Sequence, residues 1–525
     1  MKCFKDLVAP RLTAISLALL ISPVVAKADP GVVAREDLVP FGQLAWSAPN
    51  FQIPIASPGL PLLDLADNSP EATLLRRLDN EGRAAGFKNV VYDNHDRGHS
   101  LPKVGSFPRV PKLQFSDELK ELNLDYGLAG KIILPAIVIG NSSTAITKGQ
   151  RKRSQPRLAM TTPAGPARAF LTYVTNHLYI YPEHRDYDDK DLFPANWPYM
   201  VIAEGSSHND KPFIRALLMS LAAMSPETQK KLQDKNLIAP TLQMIMRRSM
   251  KTIYTRQSYL SGLAHPPVFS KKELAPERMV TLAASLKPDE IPPMVFMEVE
   301  EEDFSDMAGL AGLSEKMFNT PSAIARIWRS TDYTKRMVVS AGKTADPNGH
   351  ALSFNWVVLR GDPERVRITP IGENGAKAEI SIDWHNTRKI VPTNKRLSNR
   401  VDIGVFAWNG FNDSAPAIIS FTFPGHQERE YQPGPDGESM RLTSVNYDAK
   451  RRKSFYDPVL YWSAPWTDIL TYDDASGGLE ITRQFPKHTV VLDAPDSLAD
   501  GKKVSYTLND RGSHRVLKMD IDPVE

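Results

Sequence analysis

The sequence predicts a mixed architecture: an N-terminal α/β or α+β domain, then an all-β sandwich, then a small β-rich extension. Three observations carry this expectation. Short apolar runs in the first half, such as Ile132 to Ile139 and Tyr199 to Ala203, end in small polar turns and give way to helical spacing. Near Ile291-Pro-Pro293 that spacing stops, and alternating strands with a turn roughly every eight to twelve residues continue to about residue 425. Beyond 426 the chain is polar, with strand-like pieces such as Lys487 to Leu492 and Val504 to Leu508. The boundaries therefore read 1–28, 29–290, 291–425 and 426–525.

The first segment reads as an export signal. Lys2, Lys5 and Arg11 precede an apolar run from Leu12 to Val25, and Ala26-Lys27-Ala28 fits the small-x-small pattern of a signal-peptidase site. The expectation is a mature chain starting near Asp29, secreted or periplasmic. The apolar run is shorter than the ~20 residues of a membrane span, and no later segment is long and apolar enough to cross a bilayer. Without residues 1–28 the formal net charge of +3 becomes zero and the only cysteine, Cys3, is gone. No global field then favours nucleic acid or an anionic membrane, and disulfide or thiol chemistry is excluded for the mature chain.

Residues 29 to about 75, rich in Pro and Ala, read as an extended strap over the next domain. Ala85 to Tyr92 reads as a strand, and Ile132 to Ile139 as a buried strand broken at Pro135. Pro166 to Thr175 has helical spacing, and Tyr199 to Ala203 is a short strand. A helix is expected from Lys211 to Met224, with Asp210 as N-cap and Ser225-Pro226 as its stop. Another is expected through Pro240 to Tyr254, with Arg247, Arg248 and Lys251 on its polar face.

The middle third has a more specific pattern. Met337-Val-Val-Ser-Ala-Gly-Lys-Thr-Ala-Asp-Pro-Asn-Gly349 joins a strand to a turn, and Leu352-Ser-Phe-Asn-Trp356 continues with a Trp-bearing strand. Ala378 to Trp384, Arg400 to Gly410 and Ala417 to Phe423 extend the alternation. These residues resemble the PKD and cadherin-like group of immunoglobulin-type sandwiches over about 291–425. The resemblance implies an immunoglobulin-like fold, and such sandwiches accompany carbohydrate-active enzymes; it implies no site residue. The stretch from Asp303 to Tyr333 departs from the pattern and is expected to be a partly helical insertion.

Function is carried by histidine. Six of the eleven histidines lie between His95 and His265, mostly in polar clusters: Asp93-Asn-His-Asp-Arg-Gly-His-Ser100, Asn176-His-Leu-Tyr-Ile-Tyr-Pro-Glu-His-Arg-Asp186 and Gly205-Ser-Ser-His-Asn-Asp210. Histidine titrates nearest neutrality and recurs where protons move or metals bind. His95, His99, His177, Tyr181 and His184 are the candidate acid/base residues. His95, Asp96 and His99 are the candidate ligands of a divalent metal, the one cofactor the pattern raises. Arg97, Arg185 and Asn141 are candidates to hold anionic groups, as β-elimination of uronic-acid sugars requires. His265, beside Pro266-Pro267, reads as a turn residue.

Ser206, Ser207, His208 and Asp210 sit at a strand-turn-helix junction, where free N–H groups suit an anion or oxyanion. The alternative is that they only cap the helix. Asn209 stands where a G-x-S-x-G elbow needs glycine. The acidic run Asp186, Asp188, Asp189 and Asp191 lacks the glycine and glutamate of a calcium loop and reads as solvated. The basic run Lys148, Arg151, Lys152, Arg153 and Arg157 reads as a solvated loop or an attractor of an anionic polymer.

Together these features point to an exported enzyme acting on an extracellular polysaccharide or its ester, by hydrolysis or elimination. The alternative is a non-enzymatic envelope or matrix protein whose clusters are structural and whose sandwich mediates adhesion. A solute-binding protein is disfavoured, since the chain has no pair of similar α/β lobes. Whether the clusters meet in one place separates these readings.

Overall fold

The computed structural model describes residues 31–521 except 55–58, 104–105, 129–131, 147–151, 391–394, 450–456, 458–459 and 512–513. The expected signal segment 1–28, with Cys3, lies outside the described residues, as do Lys148 and Arg151.

The strap is tied down by pairing. Val32–Val33 runs parallel to Gln114–Phe115, and Trp46 and Ser47 pair in parallel with Ile132 and Ile133. It ends earlier than its composition suggests, because Pro70–Asn80 is a helix, α1. Ser69 accepts from the Ala72 N–H and Pro70 opens the first turn, both ordinary helix-start signals.

The centre of the N-terminal region is a four-stranded sheet in the order β1 (Val90–Asn94), β2 (Ile137–Asn141), β3 (His177–Pro182), β4 (Val201–Ala203). All three pairings are parallel, and every strand residue is buried, as expected of a parallel sheet covered on both faces. Pro135 divides the apolar run as expected: Ile132 and Ile133 join the strap, and only residues from Ile137 join the sheet. Helices α2 (Gln155–Thr161) and α3 (Gly165–Tyr173) lie between β2 and β3 in the chain, and α4 (Lys211–Ala223) and α5 (Ile238–Arg248) follow β4. Because the strands are parallel, their C-terminal ends gather the segments 95–100, 142–144, 183–186 and 204–210 along one edge.

The α5 helix is shorter than expected, and Lys251 lies beyond its end. Arg247 is not on a solvent face. It is fully buried, donates to Gln243 Oε1 at 3.1 Å and lies 4.8 Å over the Phe269 ring. Burial pushes its pKa down to about 10.

From residue 298 the described residues form strands, with one 3-10 turn at Pro363–Arg365: β5 (Glu298–Glu302), β6 (Lys316–Thr320), β7 (Ala323–Ile327), β8 (Thr334–Ser340), β9 (Ser353–Arg360), β10 (Val366–Ile371), β11 (Lys377–Asp383), β12 (Arg400–Trp408) and β13 (Ala417–Thr422). They form two sheets, β5-β8-β11-β10 and β6-β7-β13-β12-β9, with one parallel pairing between β7 and β13. Residues from both sheets, among them Met337, Val339, Ile380, Ile403, Val405 and Ile419, share one buried cluster. The insertion between Asp303 and Tyr333 is not helical; it supplies the hairpin β6–β7, and β5 pairs with β8. The N-terminal core also takes in Ala323, Ala325, Phe406 and Ala415, so the two regions bury apolar surface against each other.

Residues beyond 426 form a six-stranded and a three-stranded sheet. Tyr447, Trp462, Trp466 and Leu517 make their core, against which Leu310 and Leu313 of the insertion pack. Among the described residues no helix is long and apolar enough to cross a membrane.

Candidate functional site

The site is built where the parallel strands end. On one face of the sheet Tyr92 donates to Asn141 Oδ1 at 2.5 Å and Asn94 Nδ2 donates to the same oxygen at 3.1 Å. That fixes the Asn141 amide, whose Nδ2 donates to Asp210 Oδ2. Asp210 Oδ1 accepts from Ser100 Oγ at 2.6 Å, and Ser100 Oγ accepts from the His208 N–H at 3.0 Å. Asp210 does precede α4, but its side chain makes no cap. The carboxylate is turned into the sheet, tying together the loops after β1, β2 and β4.

On the other face Tyr179 reaches across β2 and donates to Asp93 Oδ2 at 2.7 Å. His95 Nε2 lies 2.5 Å from the same oxygen, and its ring stacks on Tyr179 with centroids 4.8 Å apart. His95 is 2 % exposed, and among the described residues its Nδ1 has no hydrogen-bond partner. His95 therefore belongs to the floor beneath the site and not to its open surface.

The open surface carries His99, His184 and His208. His99 Nδ1 is 2.5 Å from Ser143 Oγ, and Ser143 donates through both its N–H and its Oγ to Asp96 Oδ2 at 2.8 Å. A carboxylate only accepts, so the Ser143 hydroxyl proton goes to Asp96 and the serine oxygen accepts from His99 Nδ1–H. This leaves His99 Nε2 as the lone-pair nitrogen of a side chain that is 56 % exposed. His184 Nε2 donates to the Ser143 carbonyl at 2.5 Å, which leaves its Nδ1 as the acceptor. Burial lowers the His184 pKa, and Asp186, Asp210 and His99 are the charged groups close enough to act on it. The His208 ring lies 5.3 Å from that of His99.

Backbone geometry marks the same edge. Arg97 (φ 57°), Ser100 (φ 59°), His184 (φ 49°), Arg185 (φ 71°) and His208 (φ 76°) are all left-handed. Non-glycine residues avoid this region and cluster there at working sites, held by their surroundings. Glu183 supplies part of that hold: it accepts from the Gly205 N–H at 2.9 Å and the Tyr187 N–H at 3.0 Å. Burial pushes its pKa up to about 7, against the pull of those two bonds.

Several expectations are corrected by position. His177 opens β3, at the far end of the sheet. Its Nε2 accepts from the Leu134 N–H at 3.1 Å, and its Nδ1 lies 2.5 Å from the Thr175 carbonyl, so it ties backbone and does not reach the site. Tyr181 is buried on the Tyr179 face, stacked on that ring, with its pKa raised by burial and by Asp93. It can donate a proton but is no base. Arg97 is spent on Asp125, with two bonds of 3.1 Å, and on Lys120 and Asn123. Ser206 and Ser207 lie in the loop after β4, exposed and half-buried respectively. His95, Asp96 and His99 do not converge as ligands, and among the described residues no three His, Cys, Asp or Glu side chains are placed to hold a metal. The acidic run is not solvated throughout, since Asp186 is buried against Arg157 and Asp191 against Arg400. Arg153 is likewise paired, with Asp457 at 3.0 Å. His265 is buried, its Nε2 2.6 Å from the Tyr259 carbonyl.

His99, His184, His208, Arg185, Asn141 and Asp210 are brought to one edge. Ser100, Ser143, Asn94, Glu183 and Tyr179 join them; four of these lie within the polar clusters, but none is singled out by the sequence as a candidate site residue. Ser143 had one legible signal, since it follows the buried strand in the same polar turn as Asn141.

Fold and site together define an α/β protein with a histidine-lined polar site at the C-terminal edge of a parallel sheet. No family model and no curated protein matches the chain. Among solved structures, a nucleoside hydrolase-related hypothetical protein from Saccharophagus degradans, described as associated with carbohydrate metabolism, is 9 % identical. It covers 64 % of this chain and 100 % of its own, at a TM-score of 0.19. The Ig1-2 module of the Drosophila receptor protein tyrosine phosphatase DLAR is 8 % identical over 37 % of this chain and 94 % of its own, at 0.11. Catalytically inactive OgpA from Akkermansia muciniphila, in complex with an O-glycopeptide, is 12 % identical over 64 % and 92 %, at 0.14. Scores of this size establish no common fold.

Proposed function

We propose that the chain is an exported hydrolase of an extracellular polysaccharide or its ester. In this reading residues 29–290 form the catalytic domain, 291–425 a PKD-like immunoglobulin-type sandwich, and 426–525 a β-rich extension. The observation that carries it is the arrangement around Ser143: one serine holds His99 by its hydroxyl and His184 by its carbonyl, with His208 beside them. The lone pair of either imidazole can take a proton from an attacking water, and the imidazolium so formed can return that proton to the leaving oxygen. Hydrolysis fits better than elimination, because, of two residues elimination would need, Tyr181 is buried under Tyr179 away from the open surface and Arg97 is bonded to Asp125, Lys120 and Asn123. Between the two bonds, an ester fits the imidazoles better. Glycoside cleavage asks for two carboxyl groups flanking the bond, and Asp96 and Asp210 are buried and tied to the protein.

The test is a release assay on the mature chain, with neutral and acidic polysaccharides and their acylated forms as substrates. His99→Ala and His184→Ala should each lower kcat by at least about 100-fold, the usual size of a general acid–base contribution. Full turnover in both variants, or no turnover of any of these polymers by the folded wild type, would refute the assignment.

A further inference from the structure

The segment that leaves the site after His184 and Arg185 is bonded along its length to the two-sheet region. Leu397 donates its N–H to the Asp189 carbonyl at 3.1 Å, and Asp191 donates its N–H to the Leu397 carbonyl at 3.0 Å. Arg400 lies 2.8 Å from Asp191 Oδ2, and Arg360 donates to the Tyr187 hydroxyl at 2.8 Å. The Asn196 N–H donates to Ser420 Oγ at 2.9 Å.

Arg396 stands at the site end of this seam. Its guanidinium lies 4.0 Å over the Tyr187 ring, its Nε donates to the Asp188 carbonyl at 2.9 Å, and its Nη2 is 3.7 Å from Glu204 Oε1. Tyr187 and Asp188 continue the loop that carries His184 and Arg185. Glu204 opens the loop that carries His208 and Asp210. One side chain from outside the α/β region thus bridges two of the four strand-end loops.

We infer that Arg396 is a positioning residue: it fastens the His184 loop to the two-sheet region beside the His208 loop, so that the site is complete only with the two-sheet region in place. This rests on the reading of the strand-end loops as the working site. The consecutive left-handed residues His184 and Arg185 require such support, because that conformation persists only where the surroundings over-determine it. The ion pair with Glu204 is half exposed and weak by itself. The stack and the carbonyl bond hold the loop, and both use the flat, forked guanidinium that lysine lacks.

The experiment is an NMR titration of the histidine rings in the full chain, wild type against Arg396→Ala, with thermal unfolding in parallel. In the wild type the His184 midpoint is depressed by burial, under the influence of Asp186, Asp210 and His99. Arg396→Ala should move it upward as the loop loosens and rehydrates. An unmoved His184 midpoint overturns the inference, whatever happens to Tm, since a merely structural arginine would change Tm alone. If Arg396→Ala does not fold, Arg396→Gln, which removes the charge and the fork but keeps the stem as far as Cδ, is read the same way. A moved midpoint without polysaccharide turnover leaves this inference standing and removes the proposed function. Turnover with an unmoved midpoint does the reverse.

Discussion

Tyr179 crosses the second strand of the central sheet in the space left by Gly140. A β-carbon at Gly140 would stand 2.7 Å from Tyr179 Cδ1 and 2.8 Å from the Asp93 carbonyl oxygen. The missing side chain lets a tyrosine on β3 reach an aspartate on β1 and hold His95 between them. Gly140→Ala should therefore destabilise the fold by about 1–3 kcal/mol, the usual result of forcing a methyl into a packed interior. Chemical denaturation would read this as a lowered midpoint with an unchanged slope, and Tyr179→Ala in the same chain should recover part of the loss.

Asp210 is expected to matter as an acceptor and not as a cap. Asn141 Nδ2 and Ser100 Oγ both donate to it, and neither can turn round. The Asn141 oxygen is taken by Tyr92 and Asn94, and the Ser100 oxygen accepts from the His208 N–H. Asp210→Asn must point an amide N–H at one of these donors, at a cost of about 1–3 kcal/mol for the buried group left unpaired. Denaturation of this variant should show the loss, whereas a capping role would tolerate asparagine, an equally good N-cap.

His177 should separate from the other histidines in experiment. His177→Ala leaves the Leu134 N–H without its acceptor and should lower stability by about 1–3 kcal/mol. The protein that remains folded should keep wild-type turnover, while His99→Ala should lose turnover and keep its Tm. Equal kinetic losses in the two would place His177 back in the site.

Stability should depend on pH through Glu183. Its folded pKa of about 7 lies above the ordinary 4.5, so between those values the folded state binds more protons than the unfolded chain. The free energy of unfolding therefore falls as pH rises from about 4.5 to 7 and then levels off. His184 acts in the opposite sense: its pKa is depressed, so its contribution is lost as pH falls below 6.5. Glu183→Gln removes only the first effect. The difference in unfolding free energy between wild type and variant should slope across pH 4.5–7, and a flat difference would contradict the raised pKa.

The central sheet was legible because buried parallel strands read as apolar runs, and the edge was legible because each run ends in a polar turn. Helix α1 was equally legible from Ser69-Pro70-Glu71 but is masked by the Pro- and Ala-rich stretch around it. His177 and His184 sit close together in sequence, yet a six-residue strand carries them to opposite ends of the sheet, at about 3.3 Å per residue. Asp210 reads as an N-cap because a cap is a local signal. Its real partners, Asn141 and Ser100, lie 69 and 110 residues away in the chain.

By itself the sequence indicated a mixed α/β or α+β region followed by all-β structure, and the polar turns that end the buried strands. These follow from burial and turn chemistry, which act over a few residues. Only the tertiary structure decided which histidines face solvent, which arginines are already engaged, and that Ser143 and Arg396 contact the loops at the strand ends. Those outcomes depend on hydrogen bonds and packing between segments far apart in the chain, and each polar group is assigned by whatever partner the fold brings within about 3 Å of it.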